Sequence, residues 1–373
     1  MKKTISFILI GIIILILIFY WIYINKKTGG NIMITSLSSD SHYAITTDDK
    51  DYAILWDLQK HTKKIISRDA NAYSAYWIKG TSYYMWQNWK TKIIYVTDVN
   101  SGQHIKTFHP DFIVFGQAMS ADLKYNVASD KSWNIWVGNE HNLKLLTPHY
   151  NYSPGFYNKL INFTFSSQNE LLTSGFGDYD ESDMNNSVGI DLWNLDTRKS
   201  LRHFLGNQVE TFATISPDGK YVVAGDAEGL AFMWTLETGK RIWMLADPSF
   251  GIQRADSTYK DPDFDTSKLI EKPIDFKNTY IESIKFIDQD KYLVFYVENH
   301  YALLFSTQSP WPIKYLDLGK DPMPAMNYFE RDQSMDTSPA THTLVMAKEH
   351  HGGILVYQYN PQDQTLTKVW NGN

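Results

Sequence analysis

Residues 209–243 constrain the fold of this chain more than any other stretch, and they read VETFATISPDGKYVVAGDAEGLAFMWTLETGKRIW. Four short runs rich in Val, Phe, Tyr and Trp are separated by turns that contain Gly, Pro or Asp. Such an arrangement predicts four β-strands joined by hairpins. One small four-stranded sheet cannot bury both of its faces, so the stretch predicts further copies of itself packed beside it.

The position of Trp234, near the end of the third run, recurs along the chain. The residues predicted at this position in the other copies are Trp56, Thr97, Trp136, Trp193, Phe305 and Tyr357. Three of the six intervals between these positions are close to the ~40–45-residue period of a propeller blade, and the other three are this period plus an insertion. The pattern predicts an all-β, seven-bladed β-propeller. Its blades are predicted at about residues 32–66, 72–108, 112–146, 159–205, 209–245, 281–317 and 325–370.

The repeat resembles the WD40 family of propellers. The resemblance is carried by Ser216, Pro217, Asp218 and Gly219 after the first strand, Gly229 in the next turn, and Trp234. Trp56 and Asp57 form the one complete Trp-Asp pair of the sequence. Asn207 and Thr235 stand where the family has a His and an Asp, so the family's buried His-centred network is not expected in this copy. The resemblance implies a non-catalytic scaffold that binds other proteins.

The two ends of the repeat region bear on how the ring closes. The run that starts at Ile32 has the pattern of an innermost strand, and the run over residues 365–370 has the pattern of an outermost strand. In propellers of the family that the chain resembles, the amino-terminal run often completes the last blade. Here the order of the runs favours seven whole blades that close by packing side by side.

The amino terminus predicts a single membrane anchor. Residues 4–25 carry no charge, and a transmembrane helix needs about 20 such residues. A cleaved signal peptide is the alternative, but its apolar core would be about 7–15 residues followed by small residues. We therefore expect an uncleaved signal anchor over residues 1–27, a tether over residues 28–31 and a propeller over residues 32–370. A cytoplasmic amino terminus would place the propeller on the extracytoplasmic side, which is the periplasm in a Gram-negative bacterium.

Three insertions are predicted on one face of the ring. We number the strands of a blade a to d and call the face with the b–c turns and the d–a connections the insertion face. Residues 147–158, 177–187 and 247–280 should all lie there, over blades 4 to 6. Their aromatic and acidic side chains are of the kind that partner-binding loops use. The predicted partner-binding residues are Tyr150, Tyr152, Phe156, Tyr157, Asp178, Asp180, Glu181, Asp183, Asp261, Asp263 and Asp265.

The short tether predicts the orientation of this face. Strand a of blade 1 starts on the insertion face, and residues 26–31 separate it from the predicted span. Six residues reach at most roughly 20 Å. The insertion face is therefore expected to look toward the bilayer and to bind a protein partner in or near the membrane.

Composition and motifs exclude several other functions. A net charge of −6 argues against nucleic-acid binding, which needs a basic surface. The sequence has no Cys, no phosphate-binding loop and no nucleophile-elbow motif, and its acidic runs lack the spacing of a calcium loop. We predict no enzyme activity, no cofactor and no metal site. The alternative is an enzyme or ligand-binding propeller that uses the central channel, because residues 238–243 are similar to the exit turn of a quinoprotein blade.

Overall fold

The structure is a computed structural model of the chain. It describes residues 30–132, 134–139, 142–146, 160–175, 190–204, 211–226, 231–246, 269–271, 281–297, 301–318, 335–348 and 352–372. The predicted anchor over residues 1–27 lies outside these ranges. Within them, no helix has the length and apolar character that crossing a bilayer would require.

The described strands form seven sheets, each built around four consecutive antiparallel strands. Blade 1 contains β1 Ile32–Leu37, β2 Tyr43–Asp48, β3 Ala53–Asp57 and β4 Thr62–Ser67. Blade 2 contains β5 Tyr76–Trp77, β6 Tyr83–Gln87, β7 Ile94–Asp98 and β8 His104–Phe108. Blade 3 contains β9 Gly116–Met119, β10 Asn126–Ser129, β11 Ile135–Asn139 and β12 Asn142–Leu146. Blade 4 contains β13 Leu160–Phe165, β14 Leu171–Gly175, β15 Ile190–Asn194 and β16 Lys199–Phe204, and blade 5 contains β17 Thr211–Ile215, β18 Tyr221–Asp226, β19 Ala231–Thr235 and β20 Arg241–Ala246, with β21 Leu269–Glu271 beside them. Blade 6 contains β22 Ile281–Asp288, β23 Tyr292–Val297, β24 Tyr301–Ser306 and β25 Ser309–Asp317. Blade 7 contains β26 Met335–Ser338, β27 Thr343–Ala347, β28 Ile354–Asn360 and β29 Thr365–Gly372. The predicted all-β, seven-bladed propeller is confirmed.

The first strands of neighbouring blades contact one another around the ring. The described contacts of this kind join β1 to β26 and β5, β13 to β9 and β17, and β22 to β17 and β26. Strand a is therefore innermost in each blade, and strand d lies at the outer rim.

Three buried Trp side chains join neighbouring blades. Trp56, Trp193 and Trp234 occupy equivalent positions in strand c. Their partners in strand b are Ala44, Leu171 and Val222, respectively. Each packs against the preceding blade: Trp56 against blade 7, Trp193 against blade 3 and Trp234 against blade 4. Thr97, Phe305 and Tyr357 stand at the same register position in blades 2, 6 and 7, as predicted.

Two of these indole rings also find a buried hydrogen-bond acceptor in strand b. Trp56 Nε1 donates to Thr46 Oγ1 at 2.9 Å, and Trp193 Nε1 donates to Thr173 Oγ1 at 3.0 Å. Both hydroxyls are buried, so the bond satisfies a donor and an acceptor that water does not reach. In blade 5 the register places Ala224 at this point, and Ala224 has no side-chain acceptor to offer Trp234.

The structure corrects the predicted repeat position in blade 3. In blade 5, Trp234 pairs with Val222, the residue after Tyr221. The matching residue of blade 3 is Asn126, which follows Tyr125, and it pairs with Gly138 and not with Trp136. Trp136 lies two residues earlier and is only half-buried. A Cβ atom added to Gly138 would lie 1.9 Å from the carbonyl oxygen of Asn142, so the close approach of β12 leaves no room for a side chain.

The ring closes where blade 7 packs against blade 1. Asp336 of β26 accepts hydrogen bonds from Leu37 N at 2.8 Å and from Lys79 Nζ at 2.6 Å. These bonds connect blades 7, 1 and 2 on the face opposite the insertion face. The rings of Trp56 and Trp370 meet edge to face, with centroids 6.0 Å apart. Because blades 1 and 7 each contain four consecutive strands, this side-by-side packing closes the ring, as the order of the runs indicated.

Part of the third insertion lies at the rim and not on the insertion face. β21 pairs in parallel with β20, the outermost strand of blade 5, and makes that sheet five-stranded. The prediction had placed the whole of residues 247–280 over the insertion face. An unpaired edge strand offers a row of free backbone groups, and β21 satisfies those of β20.

Candidate interaction surface

The predicted partner-binding residues lie in segments outside the described ranges. They are Tyr150, Tyr152, Phe156, Tyr157, Asp178, Asp180, Glu181, Asp183, Asp261, Asp263 and Asp265. Gly229 of the repeat signature also lies outside them. The described part of the insertion face is therefore mainly that of blades 1 to 3, where the turns and connections are described almost completely.

The signature residues of blade 5 form a tight turn on the opposite face. Ser216 Oγ donates to Asp218 Oδ1 at 2.7 Å and accepts from Tyr221 N at 2.9 Å, while Gly219 takes a positive φ of 71°. Pro217 stands at the position where its fixed φ suits such a turn. The same Ser-to-Asp hydrogen bond recurs at 2.7 Å in blade 1 and 2.6 Å in blade 3. These residues build the blade.

The described chain starts on the insertion face, at the b–c turn of blade 1. Gly30 N donates to Asp48 Oδ2 at 3.1 Å, and Asn31 donates to Asp49 from its backbone and its side chain at 2.9 and 2.8 Å. Burial raises the pKa of Asp48, and the charge of Asp49 adds to this, although three backbone N–H groups oppose the shift. A Cβ atom on Gly30 would lie 2.2 Å from Asp49 Oδ1, so a larger residue here would displace the Asp49 side chain.

Backbone hydrogen bonds connect this attachment point to the next blade. Ala70 N donates to Asp51 O at 2.8 Å, and Trp89 N donates to Asp69 O at 3.0 Å. The b–c turn of blade 1, the connection between blades 1 and 2, and the b–c turn of blade 2 are thus joined directly. These hydrogen bonds fix the positions of the three segments relative to one another, from Gly30 to Trp89.

An exposed Trp stands at the end of this surface. The side chain of Trp89 is 42% exposed, in contrast to the buried Trp residues between blades. Lys90 Nζ lies 5.5 Å from the centroid of the Trp89 ring and 2.5 Å from Asp69 Oδ1. Lys92 Nζ donates to the carbonyl oxygen of Asp111. The backbone hydrogen bond of Trp89 and the contact with Lys90 hold the residue in place, while the ring stays partly exposed to solvent.

A buried amide network extends the rigid surface to blade 3. Asn71 Nδ2 donates to Gln87 Oε1 at 3.1 Å and to Val114 O at 2.6 Å. Gln87 Oε1 also accepts from Val114 N at 3.0 Å. The connections on either side of blade 2 carry Tyr73 and Phe115, whose rings stack at 5.6 Å. Polar groups buried in a satisfied network specify one arrangement of these loops.

Asp130 holds the b–c turn of blade 3. Its Oδ1 accepts from Ser132 N at 2.8 Å and Asn134 N at 3.1 Å, and its Oδ2 accepts from Trp136 Nε1 at 2.9 Å. Burial alone would raise the pKa of Asp130, but these hydrogen bonds together with one from the Asn134 amide outweigh it and lower the pKa. The ionised carboxylate is therefore the form that stabilises the turn.

Replacement of Asp130 by Ala is expected to lower the free energy of unfolding by about 1–2 kcal/mol at neutral pH, because the turn loses its charged acceptor while the donors of Ser132 and Asn134 remain open to water. Since the folded-state pKa is below the unfolded value, the contribution of the carboxylate is present above the unfolded pKa and is lost as pH falls through the folded one. The difference between the two proteins should therefore shrink below about pH 4. Urea unfolding across pH measures it, and a difference that does not change with pH would contradict the assignment.

Two described His side chains, those of His342 and His203, make contacts with carboxylates that hold strands or blades together. His342 bonds Asp288 at 2.9 Å and so connects blade 7 to blade 6. His203 bonds Asp191 at 3.2 Å within blade 4. Among the residues that the structure describes, no group of three or more His, Asp or Glu could hold a metal ion.

Comparisons with known proteins show the fold. No family model matches the chain, and no curated protein matches it. The Cps50 (Swd1) β-propeller domain of Myceliophteria thermophila aligns at 10% identity with a TM-score of 0.63, over 89% of this chain and 97% of that one. The chain is a seven-bladed β-propeller.

Two Hsv2 structures are also similar to this propeller. One is KlHsv2 with loop 6CD replaced by a Gly-Ser linker, and it aligns at 12% identity with a TM-score of 0.55 over 92% of this chain and 99% of that one. The other is Hsv2 of Kluyvelomyces marxianus, which has the same identity and TM-score and is covered to 98%. At such identities the likeness establishes the architecture and does not indicate the function.

Several residues of this surface were missed by sequence reasoning. Asp48 ends β2, Asp130 directly follows β10, and Asp226 stands at the same point of blade 5. An acidic residue that recurs just before the b–c turn was a signal that could have predicted the hydrogen bonds that Asp48 and Asp130 accept from the turn backbone. Trp89 had no such signal, because one Trp in a chain with 12 cannot be assigned to the surface without the fold.

Proposed function

We propose that this protein is a non-catalytic platform, anchored in a membrane by its amino-terminal segment, that binds partner proteins through its insertion face. One observation carries the proposal. Gly30 and Asn31 are tied to Asp48 and Asp49 on the insertion face, so the chain from the predicted anchor joins the propeller on the face where the insertions begin and end. The anchor and the binding loops then share one side of the ring.

The attachment shortens the tether that the sequence suggested. With Gly30 held by Asp48, only residues 26–29 remain between the predicted span over residues 4–25 and the propeller. From residue 25 to residue 30 the chain reaches at most roughly 18 Å. The proposed arrangement holds the insertion face against the bilayer, with the propeller on the extracytoplasmic side.

The character of the surface supports protein binding. Rigid aromatic side chains such as Tyr73 and Trp89 supply contact area at a low cost in conformational entropy. The insertions over blades 4 to 6 add aromatic and carboxylate side chains in the sequence. The resemblance of residues 209–243 to a WD40 repeat fits a scaffold role. The proposed partner is a protein embedded in the same membrane or associated with it.

Photo-crosslinking in native membranes tests the proposal. A photoreactive amino acid is placed at Tyr152, Asp180 or Asp263 of the full-length chain. Matched controls carry it at Ala121 and Lys291, which are exposed positions in turns of the opposite face. We expect one discrete adduct from the insertion-face positions that is missing from both controls. Equal labelling from the two faces, or none from either, would show that the insertion face is not the binding surface.

A further inference from the structure

We infer that the bilayer itself is a partner of the blade 1–2 part of the insertion face, and that Trp89 is the residue that enters its headgroup region. We call this part, residues 48–52, 68–71 and 88–93, the Trp89 sector. The inference rests on the membrane anchor of the proposed function and adds a lipid contact to it. The occupant is a phospholipid surface, because the chain that precedes Gly30 contains an uncharged stretch long enough to span one.

Position is the first argument. The Trp89 sector begins at Asp48, which holds Gly30, so it is the part of the ring next to the attached tether. The hydrogen bonds Ala70 N to Asp51 O and Trp89 N to Asp69 O make it one rigid unit. A tether of four residues leaves this unit little distance from the headgroups. While the bonds at Asp48 and Asp49 hold, Gly30 stays within roughly 18 Å of the end of the predicted span.

The chemistry of Trp89 is the second argument. Trp side chains concentrate at membrane–water interfaces, where the ring body is apolar and the indole N–H meets polar groups. Trp89 is exposed on a b–c turn, while Trp56 and Trp193 are buried between blades. Lys90 covers part of the ring and carries a charge that remains at headgroup level when the ring enters.

The charges of the sector determine the kind of contact. Its cations are Lys50, Arg68, Lys90 and Lys92, and its carboxylates are Asp48, Asp49, Asp51 and Asp69. Asp48 is buried and Asp69 is paired with Lys90. Equal formal charge of the two signs gives no net attraction for anionic lipid. The contact is therefore driven by the Trp89 ring and should be independent of lipid charge.

The absence of Cys in the sequence allows a clean test with the full-length chain. A Thr91→Cys variant places a fluorescent label two residues from Trp89 and leaves the Trp in place. An Ala121→Cys variant places the same label on the opposite face. Both are reconstituted into nanodiscs of phosphatidylcholine, with and without phosphatidylglycerol, and quenching by lipids spin-labelled near the headgroup is measured.

We expect the label at residue 91 to be quenched several-fold more strongly than the label at residue 121, to the same extent in both lipid mixtures. Adding Trp89→Ala to Thr91→Cys should reduce the quenching toward the level at residue 121. Equal quenching at residues 91 and 121 in a chain retained by the discs would overturn the inference while leaving the anchor intact. Quenching that needs phosphatidylglycerol, or that survives Trp89→Ala, would also overturn it. Extraction of the chain from the discs by alkaline carbonate would contradict the anchor itself.

Discussion

Replacement of Trp193 by Ala is expected to lower the free energy of unfolding by about 3–5 kcal/mol, the range for a large aromatic side chain removed from a core. The ring is 1% exposed and packs against Val137 and Leu146 of the preceding blade. Its loss leaves a cavity between two blades, and it leaves the buried Thr173 hydroxyl without its indole donor. In a ring of blades, damage to one interface weakens the contacts of both neighbours.

Trp136→Ala is the matched control. Trp136 was predicted at the equivalent position, but the register of β10 and β11 places it two residues away and only half-buried. Its removal should lower the free energy of unfolding by about 1–2 kcal/mol, chiefly through the lost bond to Asp130. Urea unfolding of the full-length variants, followed by circular dichroism, measures both values. An equal loss in the two variants would show that Trp136 does occupy the interblade position.

The propeller was predictable because its main determinants are local. Alternation within runs, turns at Gly, Pro and Asp, and a recurring position such as Trp56 or Trp234 are all visible in the sequence. Blade 3 was misread because the sequence IWVGN offers a Trp two residues before the Gly that takes the repeat position. The reason for that Gly is the close approach of the Asn142 carbonyl, and such an approach exists only in the folded sheet.

The described surface was harder to predict, since it depends on contacts between distant residues. Asn71 and Gln87 are ordinary polar residues in the sequence and become a buried network only when blades 2 and 3 meet. β21 has three residues and pairs in parallel with β20, so neither its length nor its pattern indicated a strand. Strand order alone predicted the side of the ring on which the chain enters. The hydrogen bond from Gly30 to Asp48 shows how close to the ring the entering chain is held.

Replacement of Asp336 by Ala should lower the free energy of unfolding by about 2–4 kcal/mol, mostly through donors that lose a charged acceptor. The Asp336 carboxylate binds the backbone N–H of Leu37 at 2.8 Å, and Leu37 is fully buried. The ion pair with Lys79 adds less, because the Lys79 side chain is 54% exposed and water screens it. The change acts at the seam where blade 7 meets blade 1, so unfolding should begin at that seam.

Asp57→Ala provides the matched control for this prediction. Asp57 also pairs with a Lys, at 2.7 Å, but its partner Lys60 lies in the same turn of blade 1 and is exposed. A local pair of this kind holds one turn, whereas Asp336 connects three blades that are distant in the sequence. The loss should therefore be clearly smaller for Asp57→Ala, and hydrogen exchange should show faster opening of β1 and β26 for Asp336→Ala alone. If the two variants unfold alike, the packing of Trp56 against Trp370 carries the closure, and the polar contacts of Asp336 merely accompany it.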